Sequence, residues 1–337
     1  MATDTYNPNS GYGRALLDLV AGTVPAFGDV HVVVSPDDYN HFNYQTLWEV
    51  FKPGNGFVRF YTSLSDAYDA CQSNNNDVIV LDAATTHSLS GMLTWSKSRI
   101  HVIGFDGGSR LVQQGAKIEI TGATAAAAVV KVTGTRNSFR NLKVIQSSTH
   151  ATALNVWQFA GEGNLYENCS FVFGVNNNLG SANATEALFG EDSGTLIKCS
   201  FGTDVLTTSA ARAVMTLDAI SGASSADGAK SNRLEDCEFI ITSSNASANL
   251  IKLADTAGAK FLNHWIRPRF MACISSGAGG IAVTNAIASA SGFVDGSLNF
   301  EYPVTFGCTN GCAGTTDHVL VTAPAVSANA WEGTTPS

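Results

Sequence analysis

A six-residue phrase returns along the chain and limits what it can fold into. It reads Phe139-Arg140-Asn141-Leu142-Lys143-Val144, then Tyr166-Glu167-Asn168-Cys169-Ser170-Phe171, Leu196-Ile197-Lys198-Cys199-Ser200-Phe201 and Leu234-Glu235-Asp236-Cys237-Glu238-Phe239. Looser copies are Phe261-Leu262-Asn263-His264-Trp265-Ile266 and Phe293-Val294-Asp295-Gly296-Ser297-Leu298, and Ile100-His101-Val102-Ile103-Gly104-Phe105 keeps the apolar spacing without the Asn. The common form is apolar, any, Asn or Asp, apolar or small, any, apolar. A unit this small cannot bury its apolar face alone, so successive copies must stack on one another.

The spacing has a direct geometric consequence. Leu142 and Val144 are two apart and share one face of a strand. Phe139 lies three residues before Leu142, which breaks the alternation unless the chain bends sharply between them. Asn and Asp tolerate the left-handed backbone that such a one-residue corner needs. A strand, a corner and a second strand describe part of one coil of a parallel β-helix. The corner positions expected to stack are Asn141, Asn168, Asp236, Asn263 and Asp295, with Lys198 as a gap in the column. Short apolar runs such as Val130-Lys131-Val132, Leu154-Asn155-Val156 and Ile251-Lys252-Leu253 precede the phrases and supply a third strand per coil. Successive phrases, from Ile100 to Phe293, start 39, 27, 30, 38, 27 and 32 residues apart. The longer intervals imply loops bulging from one side, the clearest being the Ser-, Ala- and Gly-rich stretch Ser221 to Asn232.

The expected fold class is therefore all-β: a right-handed parallel β-helix of about seven coils with an N-terminal helix cap. Residues 1–62 lack the phrase and are read as a docking and capping region, 63–298 as the β-helix and 299–337 as a C-terminal arm. Within the first part, His31-Val32-Val33-Val34 predicts a strand, and Tyr39, Phe42, Tyr44 and Trp48 are candidate docking aromatics. Ser63 or Ser65 opens a short amphipathic helix through Cys71, placed to cover the otherwise open end of the solenoid.

Composition bounds the partners. The net charge is −9 and no basic stripe exists, which argues against nucleic acid and anionic membranes. The first residues lack the pattern of a secretion signal, and no run reaches the length of a membrane span, so a protein folding in a cytoplasm is expected. Of seven cysteines, Cys169, Cys199 and Cys237 fall in the same inward slot of the phrase and read as buried free thiols. Cys308 and Cys312, with Asp317 and His318, match no usual zinc spacing, so no metal is expected there. No Gly-rich phosphate loop or nucleophile elbow is present, and nothing calls for a cofactor.

Four further stretches stand out: Val58-Arg59-Phe60-Tyr61-Thr62-Ser63-Leu64-Ser65-Asp66-Ala67-Tyr68, Asn74-Asn75-Asn76-Asp77-Val78-Ile79, His101-Val102-Ile103-Gly104-Phe105-Asp106-Gly107-Gly108 and Thr135-Arg136-Asn137-Ser138-Phe139-Arg140-Asn141. Together they resemble the entry to β-helices in virion proteins of tailed bacteriophages, and the likeness covers roughly residues 45–240. It implies a structural protein of a phage particle and brings no catalytic residues with it.

Many β-helices act on polysaccharide, and two chemistries would serve that end. Hydrolysis needs two carboxylates facing each other across a groove. Glu191, Asp192, Asp204, Asp218, Asp227, Glu235 and Asp236 are the candidates, with Glu191 and Asp192 expected in a solvated turn. A lyase needs a base beside a charge-neutralising group, for which Arg267 and Arg269 form the one local basic cluster; His264 is expected in an inward slot. Neither set recurs in matching coil positions. The favoured expectation is a non-enzymatic virion component, a capsid decoration or cement protein. It would self-associate as a homotrimer, bind the major capsid protein and reside in the virion. The alternative is a tail spike or fibre that binds or cuts host glycan.

Overall fold

The computed structural model describes residues 28–34, 60–83, 85–105, 116–175, 177–221, 229–254, 263–273, 280–289, 298–312 and 319–322. The described strands fall into three sheets of eleven, eight and eight strands. The chain visits them in turn, and each strand lies parallel to its counterpart one circuit earlier: Leu165–Glu167 on Ser138–Arg140, Ser170–Phe173 on Leu142–Gln146, and Thr185–Phe189 on Asn155–Phe159. This is a right-handed parallel β-helix, the hand that parallel crossovers take. Eight circuits place a strand in both the second and the third sheet.

The first sheet begins earlier than the phrase. Val30–Val33 pairs in parallel with both Phe60–Tyr61 and Val78–Leu81. Those opening strands are apolar on both faces. Val33, Ile79, Leu81 and Val102 join the main core, whereas Val32, Val34, Val78, Val80 and Ile103 form a second buried cluster on the opposite face.

The helix spans Leu64–Ala70 and buries Leu64, Ala67 and Tyr68. Ser63 is its N-cap, its hydroxyl accepting from the Asp66 N–H. At the other end Lys97 donates to the carbonyls of Tyr68, Asp69 and Cys71 at 2.8 Å each, satisfying groups that a helix terminus leaves orphaned. The Tyr68 ring packs tilted against Trp95, centres 4.2 Å apart, and its hydroxyl accepts from the backbone N–H groups of Ser96 and Lys97, which ties the cap to the first circuit.

The core follows the phrase's inward slots. Phe171, Phe201, Phe239 and Phe270 stack in a column at 5.1, 5.2 and 5.4 Å between successive rings. Such pairs contribute roughly 0.5–1.5 kcal/mol each beyond area burial. Cys169, Cys199 and Cys237 are free and buried, each thiol pointing at a carbonyl of the preceding circuit (Phe139, Tyr166 and Leu196).

The corner column is real but its membership differs from expectation. Asn141, Asn168, Lys198, Asp236, Arg267 and Tyr302 all take left-handed backbone with φ between 51° and 55°. Lys198 therefore fills the column instead of interrupting it. Asn263 does not belong to it: the sixth phrase begins at Trp265, which pairs with Leu234, so Arg267 takes the corner. Asp295 lies outside the described residues, as do Tyr39, Phe42, Tyr44 and Trp48, and most of the stretch Ser221 to Asn232. In the early copy Gly104 takes the place of the corner Asn, because a Cβ there would lie 2.1 Å from the Asn141 carbonyl oxygen.

Candidate functional site

The chemistry-bearing side chains concentrate along the first sheet and its corner with the second, in two layers. The outer layer is a lattice of ion pairs between circuits. Left-handed backbone at Arg267 aims its guanidinium back along the axis, where Nε lies 2.8 Å from Asp236 Oδ1 and Nη2 lies 3.0 Å from Asp236 Oδ2 and 2.9 Å from Glu235 Oε1. Arg233 holds the other oxygen of Glu235 at 2.9 Å. Arg269 pairs with Glu238 at 2.7 Å, His264 with Glu301 at 2.7 Å and Arg140 with Glu167 at 3.3 Å. Hydrogen bonds from Arg233 and then Arg267 hold the Glu235 carboxyl below its ordinary range. The same bonding, from Asp236 first, raises the Arg267 guanidinium further still.

Beneath it runs an amide ladder. Asn137, Asn164, Asn232 and Asn263 each stand two residues before the first apolar position of a phrase, and all are buried. The Asn137 carbonyl accepts from the Ile100 N–H, Asn164 from the Asn137 N–H, Asn232 from the Gly194 N–H and Asn263 from the Asn232 N–H. Asn263, expected at the corner, is thus a rung of this ladder. A second column of left-handed residues accompanies it, at Arg99, Arg136, Gly163, Ser193 and Ser231.

At the third rung, between Asn164 and Asn232, the amide is missing. Gly194 stands where Asn should, and Glu191 enters in its place. Its Oε1 accepts from the Asn164 N–H at 3.1 Å and from Asn164 Nδ2 at 2.7 Å, while its backbone carbonyl accepts from Asn232 Nδ2. Only glycine leaves room, since a Cβ at 194 would sit 2.8 Å from Glu191 Cδ. Glu191 is wholly buried, correcting the expectation of a solvated turn. Burial raises its carboxyl to about 8, opposed by the Asn164 donors and the neighbouring Tyr166 hydroxyl. Tyr166 is in turn pushed up by burial and then by Glu191.

A third group stands apart. Glu186 and Arg212 form a bidentate pair at 2.7 and 2.9 Å with both side chains buried, and the guanidinium lies 5.6 Å from the Phe173 ring centre. Neither residue falls inside the phrase, and no sequence signal marked the pair.

The structure separates the candidates for polysaccharide chemistry. Asp192 is held by Lys230 at 3.2 Å and by the Ser193 hydroxyl. Glu235 and Asp236 are bound by arginines, Glu191 is sealed inside, Asp204 is exposed, and Asp227 lies outside the described residues. Asp218 accepts from the Ala219 N–H, and partial burial raises its carboxyl. Arg267 and Arg269 are both committed to carboxylates, and His264 faces outward against Glu301 instead of inward. A carboxyl raised to about 8 has the pKa of a general acid, but one with no exposed surface meets no substrate. Glu191 is a structural acid. Among the described residues no helix is long and apolar enough to cross a membrane.

No protein-family model matches the sequence, and no curated protein matches it. Among solved structures, the pectate lyase Pel9A is similar with a TM-score of 0.45 and 11% identity, over 90% of this chain and 78% of that one. The pectin methylesterase from Aspergillus niger gives 0.38 and 12%, over 89% and 91%, and pectin methylesterase PemA from Erwinia chrysanthemi gives 0.38 and 12%, over 88% and 93%. These neighbours are right-handed parallel β-helix proteins; likeness at this level carries nothing about substrate or chemistry.

Proposed function

We propose that the chain is a non-enzymatic structural component of a phage particle, a capsid decoration protein that acts as a stiff solenoid. The observation that carries this reading is the commitment of Arg267 and Arg269 to Glu235, Asp236 and Glu238 of the preceding circuit. Groups that would neutralise a uronate or protonate a leaving oxygen instead link one circuit to the next. The amide ladder, the thiol column and the ring column do the same inside, so neighbouring circuits are joined by side chains as well as by backbone. The resemblance of the opening segment to phage virion β-helices supports the setting. Self-association as a homotrimer and attachment to the major capsid protein belong to this reading. Binding only the assembled shell would stabilise the particle by mass action.

The competing reading is a tail spike or fibre that binds or cuts host glycan. It draws on Tyr302, at the last corner of the column, and Phe306, on the last described strand of the second sheet, which are 53% and 60% exposed and of a kind that stacks on sugar faces. Cryo-electron microscopy of intact particles separates the two. Density for this β-helix at many equivalent sites on the head is the expected result. Density confined to the tail tip overturns decoration, and release of oligosaccharide from host surface polysaccharide by the purified chain overturns the non-enzymatic part.

A further inference from the structure

Three side chains of different chemistry meet at the N-terminal cap, each from a separate element. His31 comes from the strand Val30–Val33, Cys71 from the C-terminal end of the helix, and Asp77 from the turn leading into Val78–Leu81. Their ligand atoms all lie within 4.8 Å of one another, with His31 Nε2 3.8 Å from Asp77 Oδ2. The three residues are 3%, 4% and 0% exposed.

Each is aimed by a further contact. Asp77 Oδ1 accepts from the Asp29 N–H and from Asn75 Nδ2, and Oδ2 accepts from the Gln72 N–H at 2.6 Å. His31 Nδ1 lies 3.2 Å from Tyr61 Oη; with the ring proton there, the Nε2 lone pair faces the carboxylate. Hydrogen bonds of this kind, on the far side of a ligand, fix tautomer and orientation at metal centres. Burial, and then the Asp77 charge, pushes the Cys71 thiol up to about 12, because a second anion beside the carboxylate is unfavourable. A dication between them reverses that repulsion.

We propose that His31, Cys71 and Asp77 bind one divalent transition-metal ion, zinc by preference, which clips the cap to the first circuit. Nitrogen and sulfur donors select this class over magnesium or calcium. Zinc bonds of about 2.0–2.3 Å put tetrahedral ligand atoms roughly 3.3–3.7 Å apart. The His31–Asp77 separation is already close to that range, and the thiol, within 4.8 Å of both, has at most about 1 Å to close. On binding, Cys71 gives up its contact with the Ala67 carbonyl and releases its proton to solvent, and the fourth position takes water. The ligands span residues 31 to 77, so the ion closes a long loop in the cap, where cross-links restrict the unfolded chain most.

Cobalt(II) titration of the full chain after chelator treatment tests this. One equivalent should give a thiolate-to-cobalt absorption band with intense tetrahedral d–d bands, and zinc should displace it and raise the melting temperature by several degrees. The band should vanish in Cys71→Ser and persist in Cys169→Ser. If Cys71→Ser does not fold, His31→Gln replaces it and should weaken cobalt binding at least tenfold. Folded wild-type protein without the band at roughly hundredfold excess cobalt overturns the proposal. So does a band that survives Cys71→Ser, or one that His31→Gln leaves unweakened.

Discussion

Glu191→Gln isolates the one ladder rung where an acid replaces an amide. The folded carboxyl titrates near 8 against an ordinary 4.5. Across that window the folded protein keeps the proton and the unfolded chain has lost it. An acid whose pKa is raised by folding contributes most at low pH. Its contribution is undiminished below 4.5, falls through the window and is flat above 8. At about 1.4 kcal/mol per pH unit, the loss is about 3 kcal/mol at pH 7 and on the order of 5 kcal/mol at pH 8 and above. Glutamine fills the same space and still accepts from the Asn164 N–H and Nδ2, without a charge to desolvate.

The variant should match wild type near pH 4.5 and exceed it by a few kcal/mol at pH 7 to 8. Guanidinium unfolding at several pH values reads this through tryptophan fluorescence, since Trp157 lies 6.1 Å from Tyr166, ring centre to ring centre. If unfolding is irreversible, the unfolding rate carries the same comparison. A variant less stable than wild type at pH 8, or one that keeps the wild-type pH slope, would refute the argument. Either result would mean that Glu191 is an ionised acceptor, held by the Asn164 donors strongly enough to offset its burial.

Breaking the Glu186–Arg212 pair from one side, by Glu186→Gln or Arg212→Met, should cost on the order of 3–5 kcal/mol, because the remaining group is buried without its partner. Glu186→Leu with Arg212→Met should recover most of that loss in the same denaturation assay. Lys198→Asn should stabilise by about 1 kcal/mol, since Asn tolerates left-handed backbone better than Lys, and should also extend the Asn168–Asn141 amide contact by one circuit. Arg267→Ala should leave the denaturation midpoint nearly unchanged, with any difference shrinking as salt is added, because its ion pairs are exposed to solvent.

The winding was legible because the phrase carries an inward-facing pair two residues apart, and strand geometry admits one interpretation of that spacing. The registers of the first, sixth and seventh copies were not: Val102, Trp265 and Phe300, and not Ile100, Phe261 and Phe293, stand in the column of Phe139. The corner is a requirement on backbone conformation, which Asn and Asp meet cheaply but which Lys198, Arg267 and Tyr302 also meet when the stacked circuits hold them. Searching for an amide at the corner therefore selected Asn263, four residues too early. Spacing between inward positions is the firmer guide. Phe139 to Val144, Tyr166 to Phe171, Leu196 to Phe201, Leu234 to Phe239 and Trp265 to Phe270 are each five apart, and the last of these fixes Arg267 at the corner.

The candidate sites were less legible for a related reason. In a solenoid a carboxylate's main partner can sit one circuit away, some thirty residues along the chain, so its sequence neighbours do not show its role. Asp236 meets Arg267 and Glu238 meets Arg269 across that interval. The buried ladder shows the same logic in its substitution. Gly194 opens a gap on its own rung and Glu191 fills it from three residues earlier, while the hydrogen bonds to Asn164 above and Asn232 below are preserved. What the fold demands at that level is an oxygen acceptor at a fixed place along the axis, and the chain meets the demand from whichever neighbouring residue can reach. A periodic sequence is thus a record of the positions that supply the column directly, and its irregular rungs mark where a neighbour reaches across, here with a group that makes stability depend on pH.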